Sequence, residues 1–213
     1  MDWATIFVGF VIVFSIFSSN LSSSKPVIKT ASLPNIAASA TVADETISDF
    51  APDISSTNIS ELNQYQVIVS YIMDNYKQVT ITDVLSIAES IVASAIEYSI
   101  DPYLIAALIS VESSFNKNAI SKTGAKGLGQ IKDFNFKRLG ITDPFDIKQN
   151  VRGSTQFIKE LHVQWVGNAR YAIASYLEGA TGIKNQEGSS WKQSTNDYVD
   201  KILLRYKQLQ TFK

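Results

Sequence analysis

Apolar residues recur at helical spacing through most of the chain after residue 60. Between Gln64 and Tyr76 they fall three and four positions apart, as in an amphipathic helix. A stronger pattern opens at Thr82-Asp83 and predicts a helix with one apolar stripe: Leu85, Ala88, Ile91, Val92 and Ile96. Further helices are predicted near residues 148–165, 169–176 and 196–209. The pattern therefore predicts a mostly α fold with at most a short β-hairpin.

One predicted helix is apolar on almost every side. It starts at Asp101-Pro102, where the aspartate caps free N–H groups and proline suits the first turn. Residues 103–111 carry no charge, which is typical of a buried central helix. Glu112 follows on the face of apolar residues three, four and seven positions earlier. Desolvation there would raise the pKa of Glu112, as a general acid requires. The alternative is a carboxylate that reaches water at the helix end.

The chain before this region has a different composition. Residues 1–19 form a hydrophobic signal or anchor segment, since Trp3 to Phe17 is an uncharged run of fifteen residues. As a helix it spans roughly 22 Å, short of the ~30 Å hydrocarbon core, so a removed signal and an uncleaved anchor both stay open. Residues 20–60, rich in Ser, Ala, Thr, Asn and Asp, are predicted to be a flexible, disordered linker. A leading helix at 61–80 and the main folded domain at 81–213 follow.

Composition excludes several kinds of site. The 213 residues include no cysteine and one histidine, which excludes disulfide scaffolds, thiolate zinc sites, cysteine nucleophiles and multi-histidine metal sites. We interpret that histidine, His162, as a surface residue of a helix. The net charge of −1 indicates no nucleic-acid partner. Residues 117–159 hold nine basic and three acidic residues, which suits either an anionic polymer or a solvated helix face.

The stretch ESSFNKNAISKTGAKGLGQI, which begins at Glu112, resembles the signature of the soluble lytic transglycosylase (SLT) family. In that signature a helix ends in Glu-Ser-x-Phe, and a turn of small residues leads to Gly-Leu-x-Gln. Two later blocks agree in order and spacing. Residues 143–153 resemble the family's helix start N-I-x-x-G, and residues 172–179 resemble its block A-x-A-x-Y-N-x-G. The resemblance covers about residues 84–183 and implies a goose-lysozyme-like catalytic domain within 81–213.

The resemblance implies a role for individual residues. Glu112 matches the catalytic acid/base, Ser121 and Gln130 match polar residues that line the sugar cleft, and Tyr176 matches the tyrosine that hydrogen-bonds and orients the glutamate. The implied reaction cleaves the β-1,4 bond between N-acetylmuramic acid and N-acetylglucosamine in peptidoglycan and closes a 1,6-anhydro ring. It needs no metal and no cofactor.

Two departures from the family pattern affect these expectations. Leu177 stands where the family usually has Asn, which removes a polar group near the substrate or the catalytic loop. Gly129 stands where Met is commoner, and we expect it to widen or loosen the cleft floor. Together with Gly124 and Gly127, it is expected to adopt positive φ and to let the backbone approach a polysaccharide.

Other functions stay open at this point. A hydrolytic muramidase of the same fold would need a second carboxylate about 5 Å or roughly 6.5–9.5 Å from the first. The candidates are Asp133, Asp143, Asp146, Glu160 and Glu178. A third reading is a non-catalytic peptidoglycan-binding module.

The resemblance also implies partners and a location. It implies an exported protein of the periplasm or cell envelope that binds glycan strands. The hydrophobic segment at residues 1–19 would either anchor the protein to the membrane or be removed as a signal. The long linker beside one small domain would suit a secretion, conjugation or virion machine.

Overall fold

The computed structural model describes residues 56–186 and 191–212. Within them the chain forms eight helices, and the only β-type pairings are two isolated antiparallel bridges, Ile120 with Lys126 and Lys126 with Ile131. The predicted mostly α fold is confirmed. The helices are α1 (Ser56–Asn75), α2 (Ile81–Tyr98), α3 (Pro102–Glu112), α4 (Asp133–Leu139), α5 (Ile147–Gln164), α6 (Ala169–Glu178), α7 (Ala180–Lys184) and α8 (Gln193–Thr211).

The N-terminal predictions fall mainly on other residues. The signal or anchor segment at 1–19 and most of the linker at 20–60 lie outside the described residues. Helix α1 begins at Ser56, so the predicted boundary at residue 60 falls inside a helix. Residues 56–60 include four polar residues and one apolar residue, Ile59, too few to show a period, which is why the pattern missed them. No helix in the described part of the chain has the length and hydropathy to cross a membrane.

Helix α2 starts earlier than predicted and buries a broader face, which includes the predicted Ala88, Ile91 and Val92. Thr80 is its N-cap, and the Thr80 side chain accepts a hydrogen bond from the backbone N–H of Asp83 at 3.2 Å. Leu85 and Ile96, expected on the buried stripe, are 41% and 42% exposed. They lie at the edges of a broader face that α2 buries against α1, α3 and α5. That face comprises Val84, Ile87, Ala88, Ile91, Val92, Ser94 and Ala95.

Helix α3 is buried at the centre of the domain, as the sequence predicts. Asp101 caps it through a 2.8 Å hydrogen bond from the Tyr103 N–H to Oδ1, and Pro102 occupies the first turn. Every residue from Leu104 to Ser110 is buried. Helices α1, α2 and α8 pack around it. This burial fixes the direction in which α3 delivers its last residue, Glu112.

A smaller apolar cluster supports the glycine-rich segment that follows α3. Its buried members are Ile131, Leu139 and Ile141, and the partly buried Phe136, Phe157 and Tyr176 pack against it. Helix α4, which supplies two of these six residues, was not predicted, because a seven-residue helix is too short to show a period. Helix α5 joins this cluster to the core, since it packs against α2, α4 and α6.

Candidate active site

Glu112 is the last residue of α3 and is partly buried. Burial raises the pKa of Glu112 from an ordinary 4.5 to about 7. The hydroxyl of Tyr198 donates a hydrogen bond to Oε1 of Glu112, and this bond pulls the pKa the other way. The rise predicted from the apolar helix face is therefore confirmed. At neutral pH a large fraction of Glu112 carries the proton that a general acid donates.

Two tyrosines flank this carboxyl. Tyr198 comes from α8, which packs along α3, and burial raises its pKa well above the ordinary value, with the charge of Glu112 adding to the effect. Burial also raises the pKa of Tyr176 on α6, again with a contribution from Glu112. Both phenols therefore stay protonated over the range in which Glu112 titrates. They can donate hydrogen bonds but carry no charge.

The chain reverses sharply after Glu112. Ser114 and Phe115 both have positive φ, 52° and 59°, a conformation that side-chain-bearing residues rarely adopt in succession. Phe115 is 1% exposed and meets the Tyr76 ring edge-on at 4.9 Å between centroids. This aromatic anchor offsets the backbone cost and fixes the exit of the chain from α3.

Ser121 and Gln130 lie at the two ends of the glycine-rich segment, and both are engaged with its backbone. The Ser121 hydroxyl accepts a hydrogen bond from the Ala125 N–H at 2.9 Å, which closes the turn. The Gln130 amide donates from Nε2 to the carbonyls of Ala119 at 3.1 Å and Gly127 at 2.8 Å. Among the described hydrogen bonds none uses Oε1 of Gln130.

Gly129 is held through both of its backbone polar groups. Its N–H donates to Oδ1 of the buried Asn150 at 2.8 Å, and its carbonyl accepts the Tyr176 hydroxyl at 2.8 Å. Asn150 also donates to the carbonyls of Lys126 at 3.1 Å and Pro144 at 2.8 Å. A Cβ at Gly129 would lie 1.9 Å from Oγ of Ser154.

This geometry corrects the expectation for the glycines. Gly129 neither widens nor loosens the floor, because the Ser154 side chain fills the space beside it and hydrogen bonds fix its N–H and its carbonyl. Gly124 and Gly127 have positive φ, 82° and 77°, as expected, but Gly129 does not; Gln130 adopts it instead, at 52°. A Cβ on Gly127 would meet the Asn150 amide nitrogen at 2.2 Å. Gly127 is therefore required both for its φ and for the close approach.

The implied hydrogen bond from Tyr176 to the glutamate is wrong. Tyr176 donates to the Gly129 carbonyl, and Tyr198 supplies the bond to Glu112. Sequence reasoning missed Tyr198, which is 86 residues from Glu112 along the chain and lies in a helix with no distinguishing pattern. Only the packing of α8 on α3 brings the two together.

Each of the five candidate second carboxylates has a polar partner other than Glu112. Asp133 pairs with Lys126 at 2.8 Å, and Glu160 pairs with Arg138. Asp143 and Asp146 accept backbone N–H groups at a turn and at the start of α5. Glu178 accepts the Thr195 hydroxyl at 2.9 Å. No carboxylate of the described residues contributes to the pKa of Glu112.

Other predicted groups are placed as follows. His162 is a partly exposed residue in the last turn of α5, and Leu177 is 46% exposed. Several of the basic residues between 117 and 159 form ion pairs, among them Lys117 with Asp83 at 2.7 Å and Arg152 with Glu97. Within residues 56–186 and 191–212, no three His, Cys, Asp or Glu side chains are placed to hold a metal ion.

The sequence of this chain is similar to those of known proteins. The model of the family described as transglycosylase SLT domain matches residues 89–199. A protein of Enterobacteria phage PRD1 named transglycosylase is 32% identical over 115 residues, 54% of this chain and 41% of that protein. The membrane-bound lytic murein transglycosylase F of Desulfosudis oleivorans is 31% identical over 100 residues, 44% of this chain and 22% of that protein. The chain thus spans less than half the length of these relatives.

Solved structures share the fold. The 70 kDa soluble lytic transglycosylase of Escherichia coli matches with a TM-score of 0.55 at 18% identity, over 72% of this chain and 31% of that one. An inactive mutant of the lytic transglycosylase Slt from Pseudomonas aeruginosa matches with a TM-score of 0.52 at 20% identity, over 59% of this chain and 24% of that one. The lysozyme-like helical fold expected from the sequence is confirmed.

Proposed function

Because the chain belongs to the transglycosylase SLT domain family, we propose that it is a lytic transglycosylase that cleaves peptidoglycan with Glu112 as its single acid and base. The observation that carries this proposal is the state of that carboxyl. Glu112 ends a buried helix, burial raises its pKa to about 7, and Tyr198 holds it by a hydrogen bond. A carboxyl with such a pKa donates a proton in one step and accepts one in the next at neutral pH.

In the proposed first step Glu112 protonates the oxygen that links N-acetylmuramic acid to N-acetylglucosamine. The bond between this oxygen and the muramoyl C1 breaks, and the N-acetylglucosamine portion leaves with a free hydroxyl. Glu112, now a carboxylate, accepts the proton of the muramoyl 6-hydroxyl while O6 bonds to C1. The product is a 1,6-anhydro ring, Glu112 regains its proton, and no water is consumed.

The surroundings of Glu112 favour one carboxylate over two. A hydrolase of either stereochemistry places a second carboxyl beside the first. Here the five acidic residues considered for that role form ion pairs, accept backbone N–H groups at a turn or a helix start, or accept a threonine hydroxyl. Tyr198 is well placed to stabilise the carboxylate that forms after the first step, because a hydrogen bond to an ionised oxygen is stronger than one to a neutral group.

We further propose that Gln130 contacts the substrate through Oε1, and that Ser121 and Tyr176 shape the cleft by holding the glycine-rich segment. The contacts that support this are the Ser121 turn and the Tyr176 bond to the Gly129 carbonyl. The proposed setting is the cell envelope, with glycan strands as partner and residues 1–19 as the membrane contact. Service to a secretion, conjugation or virion machine belongs to the same proposal.

Digestion of purified peptidoglycan tests the reaction. The full chain is incubated with sacculi, and the released muropeptides are analysed by mass spectrometry beside a digest by a known muramidase. We expect products lighter by one water than the muramidase products. Products with ordinary reducing ends would identify a hydrolase. Saturable binding without products, unchanged in Glu112→Gln, would identify a binding module.

A further inference from the structure

The turn between α5 and α6 presents apolar side chains to solvent. Val166 is 95% exposed, the highest value among the large apolar residues of the described chain, and Val163 is 64% exposed. Neither residue touches the cluster that supports the glycine-rich segment. Burial in the folded domain therefore does not account for either valine.

The backbone at Val166 adds a second anomaly. Its φ is 49°, and the hydrogen bonds from Val166 N–H to the Val163 carbonyl at 3.1 Å and from Gly167 N–H to the His162 carbonyl at 2.8 Å close a Schellman-type helix end. Glycine is the favoured residue at that position, and a β-branched side chain there is a genuine outlier. Valine costs stability at a position where its side chain packs against nothing.

Aromatic side chains adjoin this turn. The Trp165 and Tyr171 rings lie 4.9 Å apart, and the Tyr171 and Trp191 rings are also 4.9 Å apart. Trp165 is oriented by a 2.8 Å hydrogen bond from Nε1 to the Ser175 hydroxyl. We call Val163, Trp165, Val166, Tyr171 and Trp191 the valine corner.

The charged residues near the valine corner are few and of both signs. No acidic residue occurs between Leu161 and Leu177, and the exposed Lys192 follows Trp191 directly. Arg170 is paired with Asp200 of α8 at 2.7 Å. An exposed aliphatic tip, flanking Trp and Tyr rings and a nearby lysine form the combination found where proteins contact the boundary of a lipid bilayer.

We propose that the valine corner docks on a lipid bilayer surface, with Val163 and Val166 in the acyl region and the aromatic rings at headgroup level. The rest of the chain favours this occupant over a protein or a glycan. Residues 3–17 are an uncharged apolar run, interpreted above as a signal or anchor, and 38 residues separate this run from α1. An uncleaved anchor would keep the folded part beside a lipid surface.

The absence of cysteine from the chain permits a direct test. The full chain with Val166→Cys carries an environment-sensitive fluorophore and is mixed with phosphatidylglycerol–phosphatidylethanolamine vesicles containing spin-labelled lipid. The matched control is Ile81→Cys. Ile81 is a β-branched residue, 54% exposed, at the N-terminal end of α2. It lies roughly 25 Å along this helix from Tyr98, which contacts Gln156 of α5. We expect a blue shift and lipid quenching at position 166 and neither at position 81.

Two variants separate docking from folding, with the fluorophore at Val163→Cys. Val166→Asp should weaken docking about tenfold, the effect of losing one buried valine side chain. Val166→Gly should also weaken docking while raising the midpoint of thermal unfolding, because glycine suits the left-handed position. If Val166 served only to stabilise the fold, Val166→Gly would not weaken docking while raising the midpoint of thermal unfolding.

Three results would overturn the proposal. The first is a label at position 166 that stays in water on vesicle-bound protein, and the second is a chain that does not bind these vesicles. The third is a label that responds to peptidoglycan fragments and not to lipid, which would assign the valine corner to the glycan. None of these results depends on the reaction, so the docking proposal and the proposed function can fail separately.

Discussion

Replacing Glu112 by glutamine should stabilise the folded protein at neutral pH. In the folded state burial raises the pKa of Glu112 from 4.5 to about 7, so the unfolded chain loses its proton at lower pH than the folded chain does. At about 1.4 kcal/mol per pH unit, this difference costs the folded state about 3 kcal/mol. Glutamine has nearly the same shape, still accepts the hydrogen bond of Tyr198 and never ionises.

The sign of the effect depends on pH. Below pH 4.5 both states hold the proton and the substitution should change little. Between pH 4.5 and about 7 the unfolded state is ionised and the folded state is not, so wild-type stability falls as pH rises. Above pH 7 the full cost is present, and Glu112→Gln should unfold at a temperature roughly 6–12 °C higher than the wild type.

Thermal unfolding of the full chain at pH 4, 6 and 8 measures this effect. Glu178→Gln is the matched control, because it also removes a carboxylate, one that accepts the Thr195 hydroxyl and does not contribute to the pKa of Glu112. It should show no gain that grows with pH. If Glu112→Gln is no more stable than wild type at pH 8, the carboxyl is not desolvated and the argument for a general acid fails.

Further predictions concern the residues around Glu112. Tyr198→Phe removes a hydrogen bond that lowers the pKa of Glu112, so the alkaline limb of the pH–rate profile should move up by about one pH unit; an unmoved limb would contradict this role. Gly129→Ala should destabilise the chain by about 2–3 kcal/mol in urea unfolding, because its Cβ would lie 1.9 Å from Oγ of Ser154, and Ser154→Gly should restore part of the loss. No rescue would show that the strain lies elsewhere. Asn150→Asp replaces the amide that donates to two carbonyls by a group that cannot, so it should cost about 2–4 kcal/mol in the same assay, and a neutral result would refute the clamp.

The sequence was informative where local chemistry decides structure. The Asp101-Pro102 start of α3 and the burial of that helix follow from capping and from an apolar run without a polar face. The raised pKa of Glu112 follows from the same face. Such features need only a few neighbouring residues, and a single sequence contains them.

Features that depend on packing were not predictable in this way. The partner of Glu112 is Tyr198, and only the contact of α8 with α3 selects it over Tyr176. Position 129 requires glycine because the side chain of Ser154 on α5 fills the space beside it. Nothing in the sequence around Ser154 indicates that it fills that space. The buried face of α2 depends on three neighbouring helices. The periodicity of α2 alone therefore predicted Leu85 in the core, whereas its side chain is 41% exposed.

In the proposed reaction Glu112 alone performs both proton transfers and no water enters the product. Digestion of peptidoglycan in water enriched in heavy oxygen tests both statements, with Glu112→Gln as the matched inactive protein. We expect the wild type to release anhydro products that carry no heavy oxygen, and Glu112→Gln to release no products. Products that gain one heavy oxygen, or turnover that survives the substitution, would contradict it.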